Sequence, residues 1–283
     1  MHGNALIGGV TGSGKSELIK TILDGQVVIL DGQQKATAHS YWKHCLLNRI
    51  RTVYENLDDY KRFVPLSILE KSTATDAIVR QANEQKSIES LLETLIRRRG
   101  ASNTDANPLI EQVTEYWCKL VYANDRSLKD ALLIFHNRDL LNEFIFDCRD
   151  SEVRAWWASQ PNHPSSFERI VGATSRLLQP LRNPALGVRL SRQSNFIDFI
   201  DSGWNYLSDG GKEITQSELR FINATRLKQI IRYKQQGGKA NLTVVIEESE
   251  ALNMIGPQEA VAIQTLRKTG LRWIIVCQEP QWD

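Results

Sequence analysis

Three glycines and a lysine fall within the eight residues Gly9-Val10-Thr11-Gly12-Ser13-Gly14-Lys15-Ser16, after the apolar run Ala5-Leu6-Ile7 and before a helical stretch from Glu17 to Leu23. A glycine-rich link between a strand and a helix leaves few structural options. Glycine allows the backbone to turn its N–H groups inward, and the helix start adds unpaired N–H groups and the positive end of a dipole. The pattern predicts a loop that closes around a polyphosphate, with Lys15 reaching the β and γ phosphates and the Ser16 hydroxyl ligating Mg²⁺. The expected ligands are ATP and Mg²⁺, held by Gly9, Thr11, Gly12, Ser13, Gly14, Lys15 and Ser16.

The rest of the chain accommodates a domain built on such a loop. Segments of strand character, Ala5 to Gly9, Val27 to Asp31, Trp204 to Ser208, Leu242 to Ile246 and Trp273 to Cys277, lie near both ends and alternate with helical patterns. That alternation predicts an α/β fold with a parallel sheet and crossover helices. A helix from about Thr215 to Gln236 opens on a capping box, Thr215 with Glu218, and stops at Gly237-Gly238. Between about His39 and Leu190 the periodicity becomes continuously helical. Lys86 to Arg99 places Ile88, Leu91, Leu92, Leu95 and Ile96 on one face; Asn107-Pro108, Ser127 with Asp130, and Ser165 with Glu168 mark further helix starts. The predicted organisation is a nucleotide-binding core from 1–38 and 191–283 with an inserted all-helical domain over 39–190.

Composition mainly excludes. The net charge of +2 gives no global nucleic-acid signature, so any DNA contact must be local or shared among subunits. Arg97-Arg98-Arg99-Gly100 is a local candidate, although basic residues in a last helical turn also satisfy the dipole. Cys45, Cys118, Cys148 and Cys277 lack metal-ligand spacing and are read as packing residues. Trp156 and Trp157 are likewise read as packing rather than as a base-stacking platform. No apolar run approaches the ~18 residues that span a bilayer, and the N-terminus has no signal-peptide core. The expected location is cytoplasmic, with any attachment to the inner face of the cell membrane made through a partner or an anchor outside this chain.

Binding alone does not hydrolyse. The run Leu242-Thr243-Val244-Val245-Ile246-Glu247-Glu248 is an apolar strand that ends in two carboxylates. Side chains diverge there, so Glu247 can hold the Mg²⁺ water shell while Glu248 turns to the attacking water. Gln278 ends the apolar run Trp273 to Cys277, where a neutral amide can orient water or sense the γ phosphate. Arg267-Lys268-Thr269-Gly270 precedes that strand, and by itself reads as a basic helix end with a glycine stop. Glu259 is expected to be exposed.

Taken together, Gly9 to Ser16, Val27 to Lys35 with Asp31 and Lys35, Val244 to Leu252 with its double acid, and Arg267 eleven residues before Gln278 resemble the HerA/FtsK superfamily of ring-forming ATPases. The order is most similar to the coupling proteins and related ATPases of conjugation and type IV secretion. The resemblance implies a RecA-like core with a helical insertion, and a motor that couples ATP hydrolysis to DNA translocation. It implies Glu248 as the water-activating acid, Gln278 as the γ-phosphate sensor and Arg267 as a finger entering the neighbouring subunit's site. It also implies a homo-oligomer, a hexameric ring, with DNA as partner. Glu247 departs from the family, where aspartate is usual at the metal position. Relatives usually carry an N-terminal anchor or partner-binding region and further core strands after the glutamine, so membrane or secretion-channel contacts are expected through regions absent from this chain. Two other readings remain open on the residues: a secretion-powering ATPase acting on protein substrates, and a nucleotide-gated assembly factor with little turnover.

Overall fold

The computed structural model describes residues 4–9, 13–32, 37–69, 72, 74–97, 108–124, 126, 128–159, 164–191, 193–247 and 255–277. Along the chain the strands are β1 (Ala5–Gly8), β2 (Gln26–Leu30), β3 (Thr52–Asn56), β4 (Leu66–Ser67), β5 (Leu190–Ser191), β6 (Asn205–Asp209), β7 (Leu242–Glu247) and β8 (Leu271–Cys277). Six of them form one sheet in the order β1-β8-β7-β2-β6-β3, every pairing parallel. Parallel strands cannot be joined by tight turns, so each connection crosses over, here through α1 (Lys15–Ile22), α2 (Thr37–Leu47) and later helices.

The interior strands read as continuous apolar runs because both faces are covered. Val27, Val28, Ile29, Leu30, Val244, Val245 and Ile246 have no exposed surface. All five sequence-predicted strands are present, within two residues of their expected bounds.

The chain divides into two compact units, one of Met1–Val64 with Asn195–Asp283 and one of Pro65–Ser194. The first junction thus lies well beyond residue 39. Residues 39–64 contain most of α2 and all of β3, and β3 pairs with β6 from Thr52↔Asn205 to Asn56↔Asp209. The sequence Thr-Val-Tyr-Glu-Asn hides this strand, because its one buried residue is Glu55. That carboxylate is held by the Tyr206 hydroxyl at 2.5 Å, the Val64 N–H at 3.1 Å and the Arg226 guanidinium at 3.7 Å. Arg226, itself fully buried, donates to the Val64 carbonyl and stacks over Phe196 and Tyr206.

Arg226 lies on α11 (Gln216–Gln235), whose predicted capping box is formed: Thr215 Oγ1 accepts the Glu218 N–H, and the Glu218 carboxylate accepts the Thr215 N–H. Among the described residues this unit also holds α10 (Phe196–Asp201) and α12 (Pro257–Thr265).

The second unit contains α3 (Ala77–Arg97), α4 (Pro108–Ala123), α5 (Leu128–Leu133), α6 (Arg138–Asp147), α7 (Ser151–Ser159), α8 (Pro164–Leu178) and α9 (Pro184–Gly187). Among its described residues the regular structure is helical apart from the two-residue parallel pair β4–β5. α3 begins before Lys86 because Asp76 accepts the N–H groups of Ile78 and Val79. α4 packs against α3, α7 and α8, with Trp117 wholly buried and its indole N–H on the Ala131 carbonyl. Trp157 is buried, and Trp156 stacks on Tyr116 at 4.2 Å, so this pair packs internally. The four cysteines are buried, and none is in a disulfide. Among the described residues no helix is long and apolar enough to cross a membrane.

Removing one partner of a buried ion pair strands the other. Arg226→Leu should lower the unfolding free energy by about 3 kcal/mol, measured as a shift in urea midpoint, whereas Arg154→Leu on an exposed helix face should leave it nearly unchanged.

Candidate nucleotide site

The glycine loop leaves the C-terminal end of β1, where parallel α/β sheets collect ligands. Gly14 is the N-cap of α1 at φ 84° and ψ 13°, a left-handed conformation that glycine adopts without strain. No side chain caps this helix start. Helix starts of this kind are where anions bind, drawn by backbone N–H groups and the positive end of the dipole. A Cβ at Gly9 would stand 2.8 Å from Ser13 Oγ, so a side chain there would have to displace Ser13. Lys15 Nζ donates to the Gly9 carbonyl, and Ser16 is half-buried beside it in the first turn. These features fit a Mg²⁺-bound polyphosphate. Val10, Thr11 and Gly12 lie outside the described residues.

Strand register brings in the acid. Gly8 pairs with Cys277, and Val276, one residue earlier, pairs with Glu247. Glu247 therefore stands two strands from the glycine loop, roughly 10 Å across the sheet, on the same edge. It is nearly buried, and its Oε1 accepts the Thr37 hydroxyl. Glu248 and Gln278, the proposed base and sensor, lie outside the described residues, as do Lys35 and Arg98 to Gly100.

Arg267 is not part of this cluster. It is exposed in the 3₁₀ turn Leu266–Thr269 that feeds the start of β8 through Gly270, at φ 79°. The seven residues of β8 separate it from the Cys277 end by about 20 Å. Within one chain it cannot touch a phosphate on the glycine loop. Glu259, expected to be exposed, is buried and accepts the Gly256 N–H at the start of α12.

The strand ends also carry polar residues that the motif reading left without a role. Asp31, directly after β2, has no exposed surface; its carboxylate accepts the Ala38 N–H at 3.0 Å and its carbonyl accepts Asn223 Nδ2 at 3.1 Å. Asn223 Oδ1 in turn accepts the Ser208 hydroxyl. Beside them Tyr54 donates to Asp209, and burial together with that carboxylate pushes the phenol well above its ordinary range. The signal for Thr37 was present in the sequence: a threonine at a helix start, shortly after an aspartate that ends a buried strand.

No family model and no curated protein matches the chain. Solved structures do. VirB4 of Thermoanaerobacter pseudethanolicus superposes with a TM-score of 0.59 at 17% identity, over 98% of this chain and 70% of that one. The bacterial conjugative coupling protein TrwB, in its unbound form, gives 0.55 at 15% identity, over 98% of this chain and 62% of its own. The chain has the RecA-like α/β fold of these structures. TrwB in complex with a non-hydrolysable ATP analogue gives a TM-score of 0.56 at 14% identity, and TrwB with ADP and Mg²⁺ gives 0.56 at 15%. This chain spans less than two thirds of the length of TrwB. The resemblance carried by the motifs is thus matched by the fold.

Glycine positions with opposite demands give a sign test. Gly14→Val forces a branched side chain into the left-handed region and should destabilise by about 1–2 kcal/mol. Gly172→Ala, in the middle of α8 where an added Cβ meets nothing, should stabilise by about 1 kcal/mol. Urea unfolding of both variants checks the pair.

Proposed function

We propose that the protein is a ring-forming motor ATPase that couples Mg²⁺-dependent ATP hydrolysis to DNA translocation in conjugative transfer or type IV secretion. The observation that carries the reading is the shared sheet edge: the Gly14-capped start of α1 and Glu247 face the same end of parallel strands in fixed register. The solved complexes of TrwB with an ATP analogue and with ADP and Mg²⁺ support it for this fold.

Bound Mg²⁺ and ATP supply the transferable phosphoryl group and the charge that polarises it. The chain's residues position and neutralise. Backbone N–H groups of the loop and of α1 hold the phosphates, with Lys15 as the cation and Ser16 as a metal contact. Glu247 would help hold the Mg²⁺ when it is bound. Glu248 accepts the proton of the attacking water, and Gln278 orients that water against the γ phosphate. Arg267 is too far from its own loop, so its charge serves the site of a neighbouring copy, which a head-to-tail ring provides.

Two measurements test these roles. Glu248→Gln keeps the size of the side chain but loses the base; it should retain ATP and lose turnover on the order of 10²-fold or more. An exposed control, Glu89→Gln, should stay at the parental rate. Comparable, small effects from both would remove the assignment.

The trans role of Arg267 is tested by mixing. Lys15→Ala should abolish nucleotide binding with an unchanged circular dichroism spectrum, and Arg267→Ala should cost about 10³-fold in turnover. Neither alone should hydrolyse. Mixed rings contain some interfaces that pair an intact loop with an intact arginine, so DNA-stimulated activity should partly return. Co-assembled mixtures that stay inactive would refute the finger. Hydrolysis stimulated by a protein substrate and indifferent to DNA would instead identify a secretion-powering ATPase.

A further inference from the structure

Thr37 is the first residue of α2, has no exposed surface, and donates its hydroxyl proton to Glu247 Oε1. The residue after it is anchored to the end of β2. Asp31 accepts the N–H of the next residue, Ala38, and Asp31 is in turn held through its carbonyl by Asn223. The Asp31 carboxylate is engaged by backbone, so the Thr37 proton has Glu247 as its acceptor.

Glu247 needs such a tether. A glutamate has one more rotatable bond than the aspartate usual at this position, and each free rotor spreads the carboxylate over several placements. Among the described residues, the hydrogen bond to its side chain comes from Thr37. One oxygen is thus anchored, and the other is left for a metal-bound water.

We propose that Thr37 is a positioning residue for Glu247: its hydroxyl fixes Oε1, so that the longer carboxylate presents Oε2 at the metal position. The extra methylene and the threonine donor form one device. This rests on the proposed Mg²⁺-ATP reading, and the experiment separates the two.

The full chain is loaded with the non-hydrolysable analogue AMPPNP, and Mn²⁺ is titrated in as a spectroscopic stand-in for Mg²⁺, its binding read by electron paramagnetic resonance. Thr37→Val keeps the side chain's shape but loses the donor. A hydrogen bond to a charged group is worth about 10-fold or more in affinity, so Mn²⁺ binding should weaken by about that factor. Metal-free AMPPNP binding should not change. Thr37→Ser should return Mn²⁺ affinity to within about threefold of the parent. In a Glu247→Asp background the shorter carboxylate no longer reaches the hydroxyl, so adding Thr37→Val should cost less than about twofold there.

Unchanged Mn²⁺ affinity in Thr37→Val, or an equal loss in both backgrounds, would overturn the proposal and leave Thr37 a packing contact. If the valine variant does not fold, Thr37→Ala carries the same comparison. A parent protein that binds no Mn²⁺ with AMPPNP would overturn the nucleotide reading itself, and this inference with it. A parent that binds it normally, with indifferent Thr37 variants, would overturn this inference alone.

Discussion

The placement of β8 between β1 and β7 is the pairing on which the candidate site depends. Neither the glycine loop nor the carboxylate strand touches the other in the sheet; each is registered against β8, Gly8 on Cys277 and Glu247 on Val276. A strand slip of one residue would send the β8 side chains to opposite faces and move Glu247 along the edge by about 3 Å. The burial of Trp273, Ile274 and Val276 prevents it, because those side chains have positions only in the observed register. The precision of a polar site is therefore set by an apolar strand that takes no part in the chemistry.

The same edge holds several buried acids, which an apolar interior would not tolerate alone. Asp31, Asp209 and Glu247 are each almost inaccessible, yet each accepts a donor from a neighbouring element: the Ala38 N–H, the Tyr54 hydroxyl and the Thr37 hydroxyl. Buried charge costs several kcal/mol unless such partners exist. Here the donors come from helix α2 and strand β3, so the acids tie the crossover connections to the strand ends. Glu55 with Arg226 and Tyr206 does the same work for β3 and α11, away from the candidate site. Polar networks of this kind specify one arrangement more strongly than they stabilise it.

The strands that form the middle of the sheet were legible because burial on both faces leaves an unbroken run of Val, Ile and Leu, as in Val27 to Leu30 and Val244 to Ile246. The glycine loop was legible because only a few backbones need that residue pattern. β3 was not: as the last strand of the sheet it has half-covered residues around a single buried glutamate, and that residue's partner in burial, Arg226, lies far along the chain. The domain boundary moved with it, from residue 39 to 65. Glu259 misled for a related reason. An acid three residues into a helix reads as solvated, but it folds back onto the Gly256 N–H and is covered. Pairings between distant residues leave no periodic trace, so polar groups whose partners are distant are where sequence reading fails.

The separation of Arg267 from the glycine loop bears on how a molecule of this fold could work. Strand β8 carries the arginine turn at its start and reaches the phosphate edge at its end, so one rigid element spans both. If the arginine serves a neighbouring copy, a shift at one subunit's phosphate edge is transmitted along β8 to the next subunit's site without a hinge. Because the strand is packed on both faces, it transmits displacement as a body instead of bending. A closed ring of heterologous contacts then makes each site sensitive to the state of the one before it. Under the proposed reading, β8 is the element that links each phosphate edge to the site of the neighbouring copy.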